Sequence, residues 1–190
     1  MKNFIVGSIA LYCFGMMVYA IWSYLAFVGL EKRDWVGSLV YIPHGVRVMA
    51  MCYFGYRSIP ALYAIEITGP IMVYPEQYFD VWPIASIASL LSVVAACEIV
   101  KWSHSNTKGT IFMPINFTNY RSLVLVIVLS GLMNAISSNL VTSLLADIDL
   151  TVTVIARFFV GDVLGSFVLV LFLSALFTTL RVNRLLVSDK

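Results

Sequence analysis

The sequence predicts an all-helical, polytopic membrane protein. Of its 190 residues, 61% are hydrophobic and only 12% are charged, and the mean hydropathy is +0.92. A soluble chain carries about 25% charged residues. Stretches of 28, 17 and 25 residues without Asp, Glu, Lys or Arg follow Lys2, Asp80 and Arg121. Because about 20 apolar residues cross a hydrocarbon core of about 30 Å, these values exclude a soluble domain of this size.

The first apolar stretch predicts a retained membrane helix. It runs from Phe4 to Leu30, which is 27 residues, whereas the hydrophobic region of a secretory signal has about 7 to 15. Trp22 and Tyr24 lie near its far end, where interfacial aromatic residues are common.

Five further segments follow, so the chain 1–190 is predicted to be one integral membrane domain with about six segments. Two short segments, 37–56 and 59–74, are rich in Pro and Gly and are separated by Arg57 and Ser58. They either span the membrane or re-enter it, and a re-entrant pair would place Arg57 in a buried turn. The remaining segments are longer and lie at 81–100, 122–145 and 150–180.

The distribution of basic residues predicts that both termini are cytoplasmic, because Lys and Arg near the ends of spans are retained on that side. With the N-terminus inside, the inner side carries eight basic residues and the outer side carries two. The inner residues are Lys2, Arg57, Lys101, Lys108, Arg121, Arg181, Arg184 and Lys190, and the outer residues are Lys32 and Arg33.

Ionisable residues inside the segments are the candidate site, because a charge at the bilayer centre persists only when it is paired or lies in a polar cavity. The candidate polar-core or ligand-binding residues are His44, Arg47, Glu66, Arg157 and Asp162. With a neutral histidine, two arginines balance two acids, which predicts that the second, third and sixth segments meet around one polar core. Three interpretations stay open, namely structural ion pairing, recognition of a ligand or ion, and a proton relay.

Small and polar residues predict the contacts around this core. Gly161 and Gly165 are four residues apart, a spacing that allows close helix packing within or between subunits. A polar band in the fifth segment is expected to face the same interior, and it consists of Asn134, Ser137, Ser138 and Asn139.

No catalytic residue, metal site or cofactor is predicted. The three cysteines are isolated from one another in the sequence, and His44 and His104 have no local spacing for a metal. A phosphate-binding glycine loop and a Ser-His-Asp order are both absent from the sequence. We therefore expect a protein that is not an enzyme and does not bind nucleic acid.

Four motifs resemble the type-one membrane-associated sensor (MASE) family. They are Tyr-Ile-Pro-His-Gly-Val-Arg at 41–47, Gly-Tyr-Arg at 55–57, Pro-Ala-Leu-Tyr-Ala-Ile-Glu at 60–66 and Arg-Phe-Phe-Val-Gly-Asp-Val-Leu-Gly at 157–165. The first three are especially similar to the version found in sugar-phosphate sensor kinases. The resemblance implies a bacterial input module that works in the inner membrane, where such modules are attached to histidine kinases or cyclic-dinucleotide enzymes.

Two features of this chain depart from that pattern. The chain is shorter than the family's usual helix array, and no cytoplasmic output domain follows Leu180. We therefore predict a stand-alone sensory or ligand-recognition module that lies in the lipid bilayer, binds a small molecule and acts through another integral membrane protein. The alternatives are a non-catalytic accessory subunit of a larger membrane complex, and a small transporter or its substrate-binding subunit.

Overall fold

The computed structural model describes residues 2–26, 38–73, 81–103, 120–146 and 151–188. All regular elements within these ranges are helices, which confirms the predicted all-helical class. They are α1 (Lys2–Leu25), α2 (Ile42–Phe54), a 3-10 turn (Gly55–Ser58), α3 (Ile59–Val73), α4 (Trp82–Ser103), α5 (Tyr120–Ala146) and α6 (Val152–Ser188). Most of the predicted inner loop between Lys101 and Arg121 lies outside the described ranges. Of the residues used to predict orientation, Lys32, Arg33, Lys108 and Lys190 also lie outside them.

Among the residues that the structure describes, four helices are long and apolar enough to cross a membrane. The candidate spans are Phe4–Leu25, Trp82–Ser103, Tyr120–Leu145 and Val152–Leu180, and they make the chain a multi-pass membrane protein. The predicted count of six is not confirmed, because α2 and α3 have only 13 and 15 residues, fewer than the about 20 of a full span.

Helix α6 continues through Ser188, past the end of the predicted segment at residue 180. No glycine or proline follows Gly165 in the sequence, so no residue of these types interrupts the backbone there. The end of the apolar segment therefore does not coincide with the end of the helix.

The two short helices form a hairpin. Pro43 lies in the first turn of α2, and Gly55 ends the helix at φ 60°, in the left-handed region that favours glycine. Ser58 Oγ then donates a hydrogen bond of 2.7 Å to the Gly55 carbonyl. The Tyr56 hydroxyl donates a hydrogen bond of 2.6 Å to Glu98 Oε1 on α4, so the turn lies beside the C-terminal end of α4. Arg57 is exposed, which differs from the buried turn expected for a re-entrant pair.

Helix α2 forms the centre of the bundle. Nine of its 13 residues are buried, and it contacts α1, α4, α5 and α6. Gly161 and Gly165 allow α6 to pack closely against residues 38–42 at the start of α2. A β-carbon at either glycine would overlap the backbone of Ser38 or Tyr41. The Tyr41 N–H also donates a hydrogen bond of 2.8 Å to the Gly161 carbonyl. The two glycines thus pack within this chain, where residues 38–42 cover them.

The outer faces of the long helices are apolar and exposed. Large side chains that the bundle leaves uncovered include Ile9, Leu91, Leu132, Leu171, Phe172 and Phe177. In water such a surface would be an aggregation liability, whereas in a bilayer it matches the lipid tails. The polar side chains are concentrated in the interior instead.

Candidate functional site

Arg47 on α2 and Glu66 on α3 form a buried ion pair. Nε of Arg47 lies 2.7 Å from Oε1 of Glu66, and the two side chains are only 4% and 7% exposed. Arg47 lies eight residues before the hairpin turn and Glu66 eight residues after it, so the hairpin places them at the same level. Nη1 of Arg47 also donates a hydrogen bond to Ser89 Oγ on α4. The arginine therefore connects three helices.

His44 lies one turn before Arg47 and is completely buried. Its Nε2 is 3.0 Å from Ser130 Oγ on α5, and that hydroxyl is itself 3.2 Å from the Ile127 carbonyl, to which it donates. Nη1 of Arg47 lies 3.4 Å from Nδ1 of His44, and a guanidinium only donates. The consistent assignment is a neutral histidine with its proton on Nε2 and an acceptor at Nδ1.

Asp162 brings α6 into the same network. Its Oδ2 accepts a hydrogen bond of 2.6 Å from Asn134 Nδ2 on α5, and Ser138 Oγ donates to Asn134 Oδ1 at 2.8 Å. The same Oδ2 lies 3.7 Å from Nδ1 of His44, and neither side chain is more than 1% exposed. One histidine and one arginine on α2 are thus held by side chains from α3, α4, α5 and α6.

Aromatic residues close the network on the side of α1. The Tyr41 ring lies 5.2 Å from the guanidinium carbon of Arg47, which is within cation–π range. Trp22 packs edge-on against Tyr41 with ring centroids 4.8 Å apart, and its indole donates a hydrogen bond of 2.7 Å to the Val40 carbonyl. On α4, the Trp82 indole donates to the Glu66 carbonyl at 2.9 Å. These contacts separate Arg47 from the surface of the bundle near α1.

The structure brings together four of the five predicted site residues, namely His44, Arg47, Glu66 and Asp162. Arg157 lies half-buried on α6. The four residues joined by the contacts described above are one arginine, one histidine and two carboxylates.

Three contacts of the network were not predicted from the sequence, namely those of Ser89 and Tyr41 with Arg47 and that of Ser130 with His44. A signal for the first was present, because Ser86, Ser89 and Ser92 recur every three residues and so fall on one helix face. All three are buried. The polar band of α5 faces the interior as expected, since Asn134 contacts Asp162 and Ser137 contacts Ser92 at 2.7 Å.

The side chains of the group offer hydrogen bonding, ion pairing and proton transfer. In the part of the chain that the structure describes, no three His, Cys, Asp or Glu side chains lie close enough together to hold a metal ion. Nε2 of His44 contacts the Ser130 hydroxyl, which donates to the Ile127 carbonyl. The distinctive property of the group is the burial of several charges at one point.

No family model matches this chain, and no curated protein or solved structure matches it. The resemblance to the membrane-associated sensor family therefore stays a prediction that depends on the four sequence motifs.

Proposed function

We propose that this chain is a non-catalytic sensory or ligand-recognition module of a bacterial inner membrane, with both termini cytoplasmic, that acts through another integral membrane protein. The observation that supports this proposal is the buried network, in which one short helix at the centre of the bundle is bound by charged and polar groups to four other helices. The sequence motifs that resemble sensor modules contain all the ionisable members of this network.

The energetics of the network suit a switch. Charges in an apolar interior are stable only while their partners are in place. A ligand or ion that changes the charge of one member changes the stability of the whole arrangement, and so shifts the balance between two positions of the hairpin. The ends of α2 are formed by Pro43 and Gly55, where the backbone departs from helix and can accommodate such a movement.

The hairpin turn is the proposed output. Tyr56 in the turn hydrogen-bonds Glu98, and Lys101 both pairs with Glu98 at 2.8 Å and lies 5.5 Å from the Tyr56 ring. A movement of the hairpin would therefore be transmitted to the C-terminal end of α4. A partner that contacts this end of the bundle would receive the signal, whereas the Gly161 face of α6 is already covered by residues 38–42.

Copurification tests this function. The full chain is isolated from native membranes in mild detergent and in native nanodiscs, and the bound proteins are identified by mass spectrometry. We expect one membrane protein to copurify with the wild type, and its yield to change in Arg47→Gln but not in Arg121→Gln. Arg121 is exposed at the start of α5, so its variant makes the same charge change outside the network. Recovery of a lone species in all of these conditions rejects the proposal.

A non-catalytic accessory subunit is the second candidate, because the members of the network are paired with one another and thus also fit a structural role. In that case the partner copurifies regardless of any ligand, and Arg47→Gln lowers stability and partner yield together. A transporter is the third, since a broken hairpin with charges at mid-depth is typical of transporter sites. Solute flux into vesicles that contain only this protein would identify it.

A further inference from the structure

Two buried cysteines meet where the hairpin packs against α4. Cys52 lies on α2 and Cys97 lies on α4, and both are only 2% exposed. Their side chains form a hydrogen bond with each other, although the two residues are far apart in the sequence. The structure thus forms a pair of thiols that no spacing in the sequence indicates.

Contacts on either side of this pair hold the two elements together. Arg47 on α2 donates to Ser89 on α4, and Tyr56 in the turn donates to Glu98. The two donors are nine residues apart in the hairpin, and the two acceptors are nine residues apart on α4, so the two elements run side by side in the same direction. Each cysteine lies between these contacts on its own element, and the two are level to within about one helical turn. Contacts that do not involve the sulfur atoms therefore hold the two thiols beside each other.

The surroundings of the pair are apolar. Both cysteines belong to the main buried cluster, together with Val93 and Ala96, which are fully buried. Phe54 and Ile99 on the same two elements are exposed, and such apolar surface faces lipid in a bilayer. The pair therefore lies within about one helix width, or about 10 Å, of the lipid. An oxidant that dissolves in the bilayer is better placed to reach it than one that dissolves in water.

We propose that Cys52 and Cys97 form a reversible disulfide, and that its oxidant is a lipid-soluble quinone. Two S–H bonds break and one S–S bond forms. The two electrons and the two protons pass to the quinone, which leaves as the quinol. Quinones combine solubility in hydrocarbon with the uptake of two electrons and two protons, and they accept electrons from dithiols in bacterial membranes. A dithiol reductant reverses the step by thiol–disulfide exchange.

The disulfide would restrain the hairpin. A hydrogen bond between two thiols can open, whereas a disulfide joins α2 to α4 covalently and closes the chain between residues 52 and 97. Oxidation therefore opposes a movement of the turn relative to α4. It holds the module in one signalling state, a consequence that rests on the proposed function, whereas formation of the disulfide does not.

Thiol counting tests the disulfide. The full chain in phospholipid nanodiscs is incubated without oxygen with a short-chain ubiquinone, whose fully substituted ring is not alkylated by thiols. Free thiols are then labelled with maleimide in denaturant and counted by mass spectrometry. The sequence contains three cysteines, so we expect the count to fall from three to one, with one quinol formed per chain. Dithiothreitol should restore all three thiols.

Cys13 supplies the matched control, because it is exposed on α1. Cys13→Ser should still lose two thiols and form one quinol. Cys52→Ser and Cys97→Ser should each keep both remaining thiols and form no quinol. Three free thiols in the quinone-treated wild type, a count that decides the outcome even if these variants fail to fold, would overturn the proposal. A quinol yield that Cys52→Ser does not lower would overturn it as well, and oxidation by hydrogen peroxide but not by the quinone would reject the quinone as the oxidant.

A second measurement separates the disulfide from the proposed function. The oxidised wild type should have a Tm roughly 4 to 16 °C above that of the reduced protein, and Cys52→Ser should show no such difference. An unchanged Tm in fully oxidised protein would reject the restraint on the hairpin. A partner yield that changes with oxidation only in the wild type supports both parts. If Tm rises but partner yield stays the same, the disulfide stands and its role in signalling is rejected.

Discussion

Two ion pairs of similar length lie in opposite surroundings in this protein. Arg47 and Glu66 are 2.7 Å apart and are 4% and 7% exposed, whereas Lys101 and Glu98 are 2.8 Å apart and are 26% and 37% exposed. The first pair joins two helices at the centre of the bundle, and the second joins residues three apart on α4. Judged by these distances alone, the two pairs would contribute equally to stability.

Burial gives the two pairs different roles. Water can replace either partner of the exposed pair, so its contribution to stability is small and depends on salt. Inside the bundle no water is available to replace a lost partner, and each charge therefore depends on the other. A buried pair can consequently act as a constraint on the position of the hairpin, which the exposed pair cannot do.

The surroundings of the two pairs are also expected to differ in their access to a water-soluble reagent, so that positions near one pair react and those near the other do not. In a background without native cysteines, Arg57→Cys in the turn and Ser103→Cys at the end of α4 should react with an impermeant thiol reagent only from the cytoplasmic side. Ser130→Cys, beside His44, should react from neither side. Labelling of the turn from outside, or its protection from both sides, would contradict the proposed orientation of the hairpin.

The largest change in stability is expected from breaking the buried pair. Glu66→Gln or Arg47→Gln leaves the other charge without its partner, and we expect the free energy of unfolding to fall by about 3 to 5 kcal/mol. Thermal unfolding of the purified protein in detergent measures this effect.

The matching double variant distinguishes pairing from general damage. Arg47→Glu combined with Glu66→Arg restores opposite charges at the two positions, so part of the lost stability should return. Single variants as stable as the wild type would mean that the two charges are solvated separately.

Much of this arrangement could be predicted from the sequence. The charge-free stretches after Lys2, Asp80 and Arg121 coincide with α1, α4 and α5. The predicted count of six membrane segments is not confirmed, because four of the described helices are candidate spans. The shared depth of Arg47, Glu66 and Asp162 followed from counting residues at about 1.5 Å each. The Pro and Gly residues of 37–56 and 59–74 indicated two short segments separated at Arg57 and Ser58.

The partners of the charged residues could not be predicted, because depth does not determine the rotation of a helix about its axis. The contacts of Asp162 with Asn134 and His44 are examples, because neither partner follows from sequence spacing. Whether Gly161 and Gly165 pack within or between chains depended on the path of residues 38–42, which no periodicity describes.

A smaller change in stability is expected from the glycines of α6 that pack against residues 38–42 at the start of α2. A β-carbon at Gly165 would overlap the backbone of Tyr41, and backbone atoms cannot move aside as the end of a side chain can. We expect Gly165→Ala to destabilise the protein by about 1 to 3 kcal/mol. At Gly7 on α1 no atom lies within 4 Å of the added carbon, so Gly7→Ala should instead stabilise by about 0.5 to 1 kcal/mol. Equal effects at the two positions would show that helix propensity alone decides the outcome.

The smallest effect is expected at the exposed pair. Glu98→Gln and Lys101→Gln should each change the free energy of unfolding by about 1 kcal/mol or less, and their coupling in a double-mutant cycle should be about 0.2 to 1 kcal/mol. In Glu98→Gln the amide oxygen can still accept the hydrogen bond from Tyr56, so the contact between turn and α4 remains.

Because the Debye length falls from about 10 Å at 0.1 M salt to about 3 Å at 1 M, the coupling between Glu98 and Lys101 should shrink with added salt, while the coupling between Arg47 and Glu66 should hardly change. A coupling above about 2 kcal/mol that resists salt would mean that this end of the bundle is also shielded from water, and that the hairpin is held at both its centre and its turn.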